Sequence, residues 1–236
     1  MKNFKLVVTD LDGTYLHDGE VVPVNLQAVQ QCNEKGIRVC ACTGRCWTMC
    51  AYTMQHCGLD EWAVISNGAA VKNVKTGEIV FEKKIEPGRA KQIIDALVDV
   101  GQKFNLYCTD WIAVYTPLEP DWTIRMEGEI ENQKGMPQEA RSVVKRWDTL
   151  EAFYENVLDQ IEMLRLELAD EAPIPAAVQD AMGDLAQYQI SVSFHGHRDI
   201  SHFEAGKANA LSFLTDMLGI ARDETFALGD SGNDVA

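Results

Sequence analysis

The sequence predicts an α/β protein in which a doubly wound, parallel-stranded core carries an inserted α+β unit. Three observations carry this reading. Near the N-terminus short apolar runs alternate with amphipathic stretches in the order strand, helix, strand, helix, strand. From about residue 84 the pattern changes to strands grouped with helices, and from about residue 199 the first style returns. The expected domains are therefore 1–83 with 199–236 for the core, and 84–198 for the insert.

Residues 5–9 form a continuous apolar strand of the kind buried on both faces of a parallel sheet. Residues 25–35 fit a helix through Leu26, Val29 and Cys32, with Pro23 near its start and Gly36 after its end. Residues 37–42 read as a second strand, broken at Thr43-Gly44-Arg45, and a helix follows to about Cys57. Residues 62–65 read as a third strand, closed by Ser66-Asn67-Gly68. In the middle, 77–81 reads as a hairpin arm, 87–100 as a helix, and 105–108 with 111–115 as paired strands. Residues 119–133 carry no clear period. Helices are expected at 150–160 and 176–187, and strands at 161–168 and 188–194. Gly206-Lys207 opens a helix through Ala210, Leu211, Leu214, Met217 and Leu218; residues 224–228 then read as a buried strand that ends in Gly229-Asp230-Ser231-Gly232-Asn233-Asp234.

The formal net charge of −15 argues against nucleic acid or an anionic membrane as a partner. Leu6-Val7-Val8 is too short for a signal-peptide core, and no apolar run reaches the roughly 18 residues of a membrane span. Seven cysteines, an odd number without a secretion signal, suggest reduced thiols and a cytoplasmic location. Six of them lie between Cys32 and Cys57, yet no C-x-x-C pair occurs, so they read as small buried hydrophobes rather than a soft-metal site. Cys46 lies near the expected site, which makes its oxidation a candidate inhibitory event.

Two strands far apart in sequence end in acidic loops. In an open parallel sheet the carboxyl ends of the strands share one edge, where ligands bind. Asp10, Asp12, Asp230 and Asp234 are expected to converge there, with Thr43 and Arg45 arriving from the second strand. Four carboxylates repel one another unless a divalent cation offsets them, and oxygen donors suit Mg²⁺. One carboxylate can then act as a nucleophile and the other as a proton donor and acceptor. Gly13 lets the chain turn away at once. An EF-hand reading fails, because Tyr15 and Val21 stand where it needs Gly and Glu. A serine protease reading of Gly229-Asp230-Ser231-Gly232 fails on the alternating strands and helices.

Together these segments resemble the haloacid dehalogenase-like (HAD) hydrolases. Asp10-Leu11-Asp12-Gly13-Thr14 resembles the first motif of that superfamily, Thr43-Gly44-Arg45 the second, Lys207 the third, and 229–234 the fourth. Asn67-Gly68-Ala69 resembles a segment of the Cof-type branch, which inserts an α+β cap between the second and third motifs. The resemblance covers the whole chain. It implies a Rossmann-like core with a cap that selects a small phosphorylated metabolite, and a phosphatase that passes through an aspartyl phosphate. Under it Asp10 is the nucleophile and Asp12 the acid and then the base. Thr43, Gly44 and Lys207 hold the phosphoryl oxygens. Asp10, the Asp12 main-chain carbonyl and Asp230 hold Mg²⁺, supported by Asn233 and Asp234. Arg45 and Asn67 are candidate substrate contacts, Arg45 equally a partner for a core carboxylate. Relatives with a transport-ATPase role carry Thr at the position of Asp12; Asp there favours a phosphatase or a phosphomutase. A non-catalytic binding protein that kept the fold is the remaining alternative. Relatives continue past the residue matching Ala236, so the core is expected to be incomplete at its C-terminal end.

His195, His197 and Arg198, near the return to the core, are either substrate contacts or residues of an exposed hinge, the hinge being the favoured reading. Trp111, Trp122 and Arg125 are candidates for substrate selection, with cap core the other reading of the tryptophans.

Overall fold

A computed structural model describes residues 3–124, 142–168, 172–192 and 196–235. In chain order the elements are β1 (Leu6–Thr9), β2 (Leu16–His17), β3 (Glu20–Val21), α1 (Pro23–Glu34), β4 (Arg38–Cys42), α2 (Trp47–His56), β5 (Trp62–Ile65), β6 (Ala70–Asn73) and β7 (Ile79–Glu82). They continue as α3 (Pro87–Asp99), β8 (Phe104–Cys108), β9 (Ile112–Tyr115), β10 (Val144–Trp147), α4 (Leu150–Val157), β11 (Ile161–Leu166) and α5 (Ala176–Met182). The last are β12 (Tyr188–Val192), β13 (Arg198–His202), α6 (Lys207–Leu218) and β14 (Thr225–Leu228). Two compact units result: residues 1–45, 50–82 and 205–236, and residues 46–49 and 83–204.

The first unit is built on a six-stranded sheet in the order β14-β1-β4-β5-β6-β7. The first four strands run parallel, as the continuous apolar runs predict. β6 and β7 are added antiparallel at one edge. β1 lies between β4 and β14, so the chain winds outward from β1 in one direction through β4 and β5 and in the other to β14. This is the switch point at which open α/β sheets bind ligands. Helix α6 lays Ala210 and Leu214 against Leu6, Val8, Cys40, Cys42, Val64 and Val71. Cys40 and Cys42 therefore share one strand face and serve as core. Helix α1 opens on Pro23, whose missing N–H is no loss in a first turn, and packs on β4. This Rossmann-like arrangement agrees with the predicted fold class.

The second unit carries a six-stranded sheet in the order β10-β9-β8-β11-β13-β12, antiparallel apart from the β10–β9 pair. Helices α3, α4 and α5 cover one face, where Ile93, Leu97, Phe153 and Val178 meet Phe104, Leu106 and Leu164. Glu86 caps α3 by accepting from the Gly88 and Arg89 N–H groups at 2.9 and 2.8 Å. The helix expected to run to residue 187 stops at Met182, because Gly183 turns left-handed at φ +69°.

Arg198, taken as part of a hinge, instead opens β13. That strand pairs with β11 on one side and β12 on the other, and Asp199, Ile200 and Ser201 in it are buried. Its Arg-Asp-Ile-Ser-His sequence hides it, since one apolar residue in five gives no strand period. His197 is buried too. Trp111 belongs to the apolar core under the helices, so it takes the core reading. His195 and Arg125 lie outside the described residues. Cys46 is 0% exposed, which removes the accessibility that oxidation needs. No described helix is long and apolar enough to cross a membrane.

Candidate active site

Strand β1 delivers Asp10 at its carboxyl end, where the Asp10 N–H still donates to Leu228 O at 2.9 Å. The chain then turns sharply, with Tyr15 and Leu16 N–H both donating to Leu11 O. Asn25 braces the turn by donating to Thr14 O and Tyr15 O at 3.1 and 3.0 Å. Gly13 sits at φ +74°, and a Cβ there would lie 2.2 Å from Asp230 Oδ2. Glycine is thus required both by the turn and by the approach of the loop after β14.

Asp10 is 7% exposed and accepts from Lys207 Nζ at 2.8 Å. The same ammonium donates to Asp234 Oδ1 at 2.6 Å. Burial lifts the Asp10 carboxyl above its ordinary range, with Lys207 pulling the other way. Burial also works against the Lys207 ammonium, but Cys42, Asp10 and Asp234 around it outweigh that and raise its pKa. Asp234 in turn organises the last loop: its Oδ2 accepts from the Asp230 and Ser231 N–H groups, both at 3.1 Å. Thr14 Oγ1 reaches Asp230 Oδ1 at 3.4 Å.

Carboxylate oxygens of Asp10, Asp230 and Asp234 lie within 4.8 Å of one another. The donors are all hard oxygens, the type Mg²⁺ takes, and three carboxylates gathered beside the Lys207 ammonium leave negative charge for a further cation to offset. The residues fit a divalent ion. The Asp12 carboxylate stands apart from this group. Arg45 grips it as a fork, with Nε to Oδ2 at 2.8 Å and Nη2 to Oδ1 at 2.5 Å. Of the two sequence readings of Arg45, the carboxylate partner is the one observed.

Thr43 is fully buried, and its hydroxyl accepts from the Arg45 N–H at 3.1 Å. Helix α2 begins only at Trp47, so Thr43 closes a local turn and does not cap that helix. Gly44 lies against Asn67, where a Cβ would come 2.8 Å from Asn67 Oδ1. Asn67 Oδ1 accepts from Asn233 Nδ2 at 2.9 Å, which ties the turn after β5 to the loop after β14. Ser66 and Asn67 are both left-handed, at φ +50° and +54°, a strained pair that N–H bonds to Arg45 O and Thr43 O hold in place. Asp10, Lys207, Asp230 and Asp234 thus form one cluster; Asp12 with Arg45, and Gly44 with Asn67 and Asn233, form two others. Thr14 belongs to the first motif quoted above, whereas Asn25, which braces the same loop, gave no sequence signal beyond its polarity.

A sequence profile described as haloacid dehalogenase-like hydrolase matches residues 7–236. The chain is 26% identical over 247 residues to phosphatase YwpJ of Bacillus subtilis (strain 168), covering 98% of this chain and 84% of that one. It is 24% identical over 236 residues to the 5-amino-6-(5-phospho-D-ribitylamino)uracil phosphatase YcsE of the same organism, covering 99% and 80%. Among solved structures, a haloacid dehalogenase-like hydrolase from B. subtilis superposes with a TM-score of 0.79 at 21% identity, covering 98% of this chain and 85% of that one. The HAD subclass IIB sugar phosphatase BT4131 superposes with a TM-score of 0.76 at 17% identity, covering 98% and 82%.

Proposed function

The chain belongs to the haloacid dehalogenase-like hydrolases, in their Cof-type branch, and we propose from that premise that it is a Mg²⁺-dependent phosphatase acting on a small phosphorylated metabolite through an aspartyl phosphate. The observation that carries this is the buried Asp10 carboxylate with the Lys207 ammonium 2.8 Å away at the switch point of the sheet. Relatives described as phosphatases, and a neighbour described as a sugar phosphatase, support a sugar phosphate or similar ester as substrate.

Asp10, Asp230 and the Asp12 carbonyl would hold Mg²⁺, with Asp234 and Asn233 in support. When bound, the ion offsets negative charge on the ester and orients it. Asp10 attacks phosphorus, an Asp10–phosphorus bond forms, and the bond to the leaving oxygen breaks. Asp12 gives that oxygen a proton. Asp12 then takes a proton from water, whose oxygen attacks phosphorus and frees Asp10 and inorganic phosphate. Lys207 stabilises charge on the phosphoryl oxygens, and Thr43 and Gly44 position them. Proton transfer needs an Asp12 oxygen released from the Arg45 fork, so Arg45 sets where Asp12 waits. The second unit, in this reading, is the cap that selects the substrate.

The test is phosphate release from p-nitrophenyl phosphate with Mg²⁺ and with EDTA, for wild type and Asp10→Asn. Turnover that needs Mg²⁺ and vanishes in Asp10→Asn is the expected result. Turnover that survives Asp10→Asn would sink the nucleophile assignment.

A further inference from the structure

The loop after β14, residues 229–234, brings Asp230 to the carboxylate cluster from an exposed position. An exposed loop holds a ligand in one place only if something buried fixes it. Lys207 does so at one point, by donating to Asp234 Oδ1 at 2.6 Å. The turn after β5 does so at another. Asn67, 7% exposed, accepts at Oδ1 from Asn233 Nδ2 at 2.9 Å. Asn233 Oδ1 in turn accepts from the Ser231 hydroxyl. The contact therefore runs from a buried amide into the span that carries Asp230.

The turn that presents Asn67 is itself held from two sides. The Ser66 and Asn67 N–H groups donate to Arg45 O and Thr43 O at 2.9 and 3.1 Å. Gly68 lies against the main chain of Gly206, just before Lys207. Asn67 keeps a left-handed backbone, φ +54°, where glycine would fit with less strain. Its side chain meets Gly44 on one side, where a Cβ would come 2.8 Å from Oδ1, and Asn233 on the other. A side chain held in a backbone conformation it does not favour points to a task that glycine could not fill.

We propose that Asn67 is a positioning residue for the metal site: its amide oxygen fixes Asn233 and so sets where Asp230 stands. The property it controls is then Mg²⁺ affinity, not substrate affinity. Mg²⁺ demands near-ideal octahedral geometry, so a slightly displaced ligand binds it less well. Removing a side chain that stands one step behind a metal ligand typically weakens metal binding by about ten- to a hundredfold. The sequence reading set Asn67 among candidate substrate contacts; the observed partner gives its side chain this other task. The inference rests on the Mg²⁺ reading above.

The experiment measures Mg²⁺ affinity without turnover, from the saturable rise in Tm over ionic-strength-matched NaCl. It compares wild type, Asn67→Gly, Asn233→Ala and the double variant. Glycine suits the left-handed backbone, so the Tm of Asn67→Gly in EDTA should stay level while Mg²⁺ binds about tenfold more weakly. Asn233→Ala breaks the same contact from the other side and tests it even if Asn67→Gly loses its fold. The double variant should bind Mg²⁺ no more weakly than Asn233→Ala alone, because the two side chains act through one contact. With p-nitrophenyl phosphate at saturating Mg²⁺, the KM of Asn67→Gly should match wild type. A raised KM there with Mg²⁺ affinity unchanged would mark a substrate contact and overturn the inference. A lower Tm in EDTA with Mg²⁺ affinity unchanged would mark a structural amide and overturn it too, as would additive losses in the double variant. A wild type with no saturable response to Mg²⁺ would instead strike the Mg²⁺ reading itself.

Discussion

Lys207 holds two carboxylates that are nearly as buried as itself: side-chain exposures are 7% for Lys207, 9% for Asp10 and 13% for Asp234. Removing one partner of a buried ionic group leaves the rest uncompensated, at a cost of about 3 kcal/mol or more. Lys207→Met should therefore lower unfolding stability by that order in urea with EDTA, and adding Asp10→Asn should recover part of the loss. Arg45 makes a different case. Its partner Asp12 is 58% exposed, so Arg45→Ala should change stability by no more than about 1 kcal/mol. Its effect should fall on kcat, measured under saturating substrate, because Asp12 loses the fork that fixes it. The approach of Asp10, Asp230 and Asp234 was legible from the two acidic strand ends, and that of Lys207 from the family resemblance; the separation of the Asp12 carboxylate from them was not. A carboxylate partner for Arg45 was one of two open readings, and that the partner is Asp12 was not legible, because no spacing rule pairs residues 33 apart.

At the level of elements, the strands that read clearly are those buried on both faces, β1, β4 and β5 among them, whereas β14 is legible as a strand but not buried as expected: it lies at the sheet edge with Phe226 and Leu228 each 45% exposed. β6 hides because Lys72 and Asn73 interrupt its apolar run, although both are buried in the strand. β10 and β13 hide because their polar residues alternate with few apolar ones, so their pairing comes from neighbouring strands rather than from their own period. The turn after β5 is the element most sensitive to a small change. Gly68 sits at φ +90°, and a Cβ there would lie 2.2 Å from the Gly206 carbonyl carbon, just before Lys207. That carbon is main chain, not the tip of a flexible side chain, so backbone must move. Gly68→Ala should destabilise the protein by about 2 kcal/mol or more and should depress activity beyond that loss, since the start of α6 carries Lys207. Thermal unfolding measured beside kcat separates the two effects; an unchanged Tm would refute the close approach.

For the molecule as a whole, charge and site combine. A net charge of −15 means that any added salt relieves self-repulsion, so a rise in Tm with Mg²⁺ alone would prove nothing. The specific contribution is what remains after matching ionic strength with NaCl. Oxygens of Asp10, Asp230 and Asp234 gathered within 4.8 Å give the folded chain a site that the unfolded chain lacks. Binding to the folded state alone stabilises it by RT ln(1 + [L]/Kd), about 2.7 kcal/mol when Mg²⁺ stands at a hundred times its Kd. Wild type should therefore gain Tm in Mg²⁺ over ionic-strength-matched NaCl, and the gain should saturate as a site fills. Asp230→Asn removes a ligand on an exposed loop, so it should abolish the saturable part and keep the general salt response. Hydrogen exchange should place the added protection at the ends of β1 and β14, while the α3–α5 core of the second unit stays as it was. Protection gained equally across both units, or a gain untouched by Asp230→Asn, would mean that Mg²⁺ acts as bulk salt and that the carboxylate cluster holds no ion.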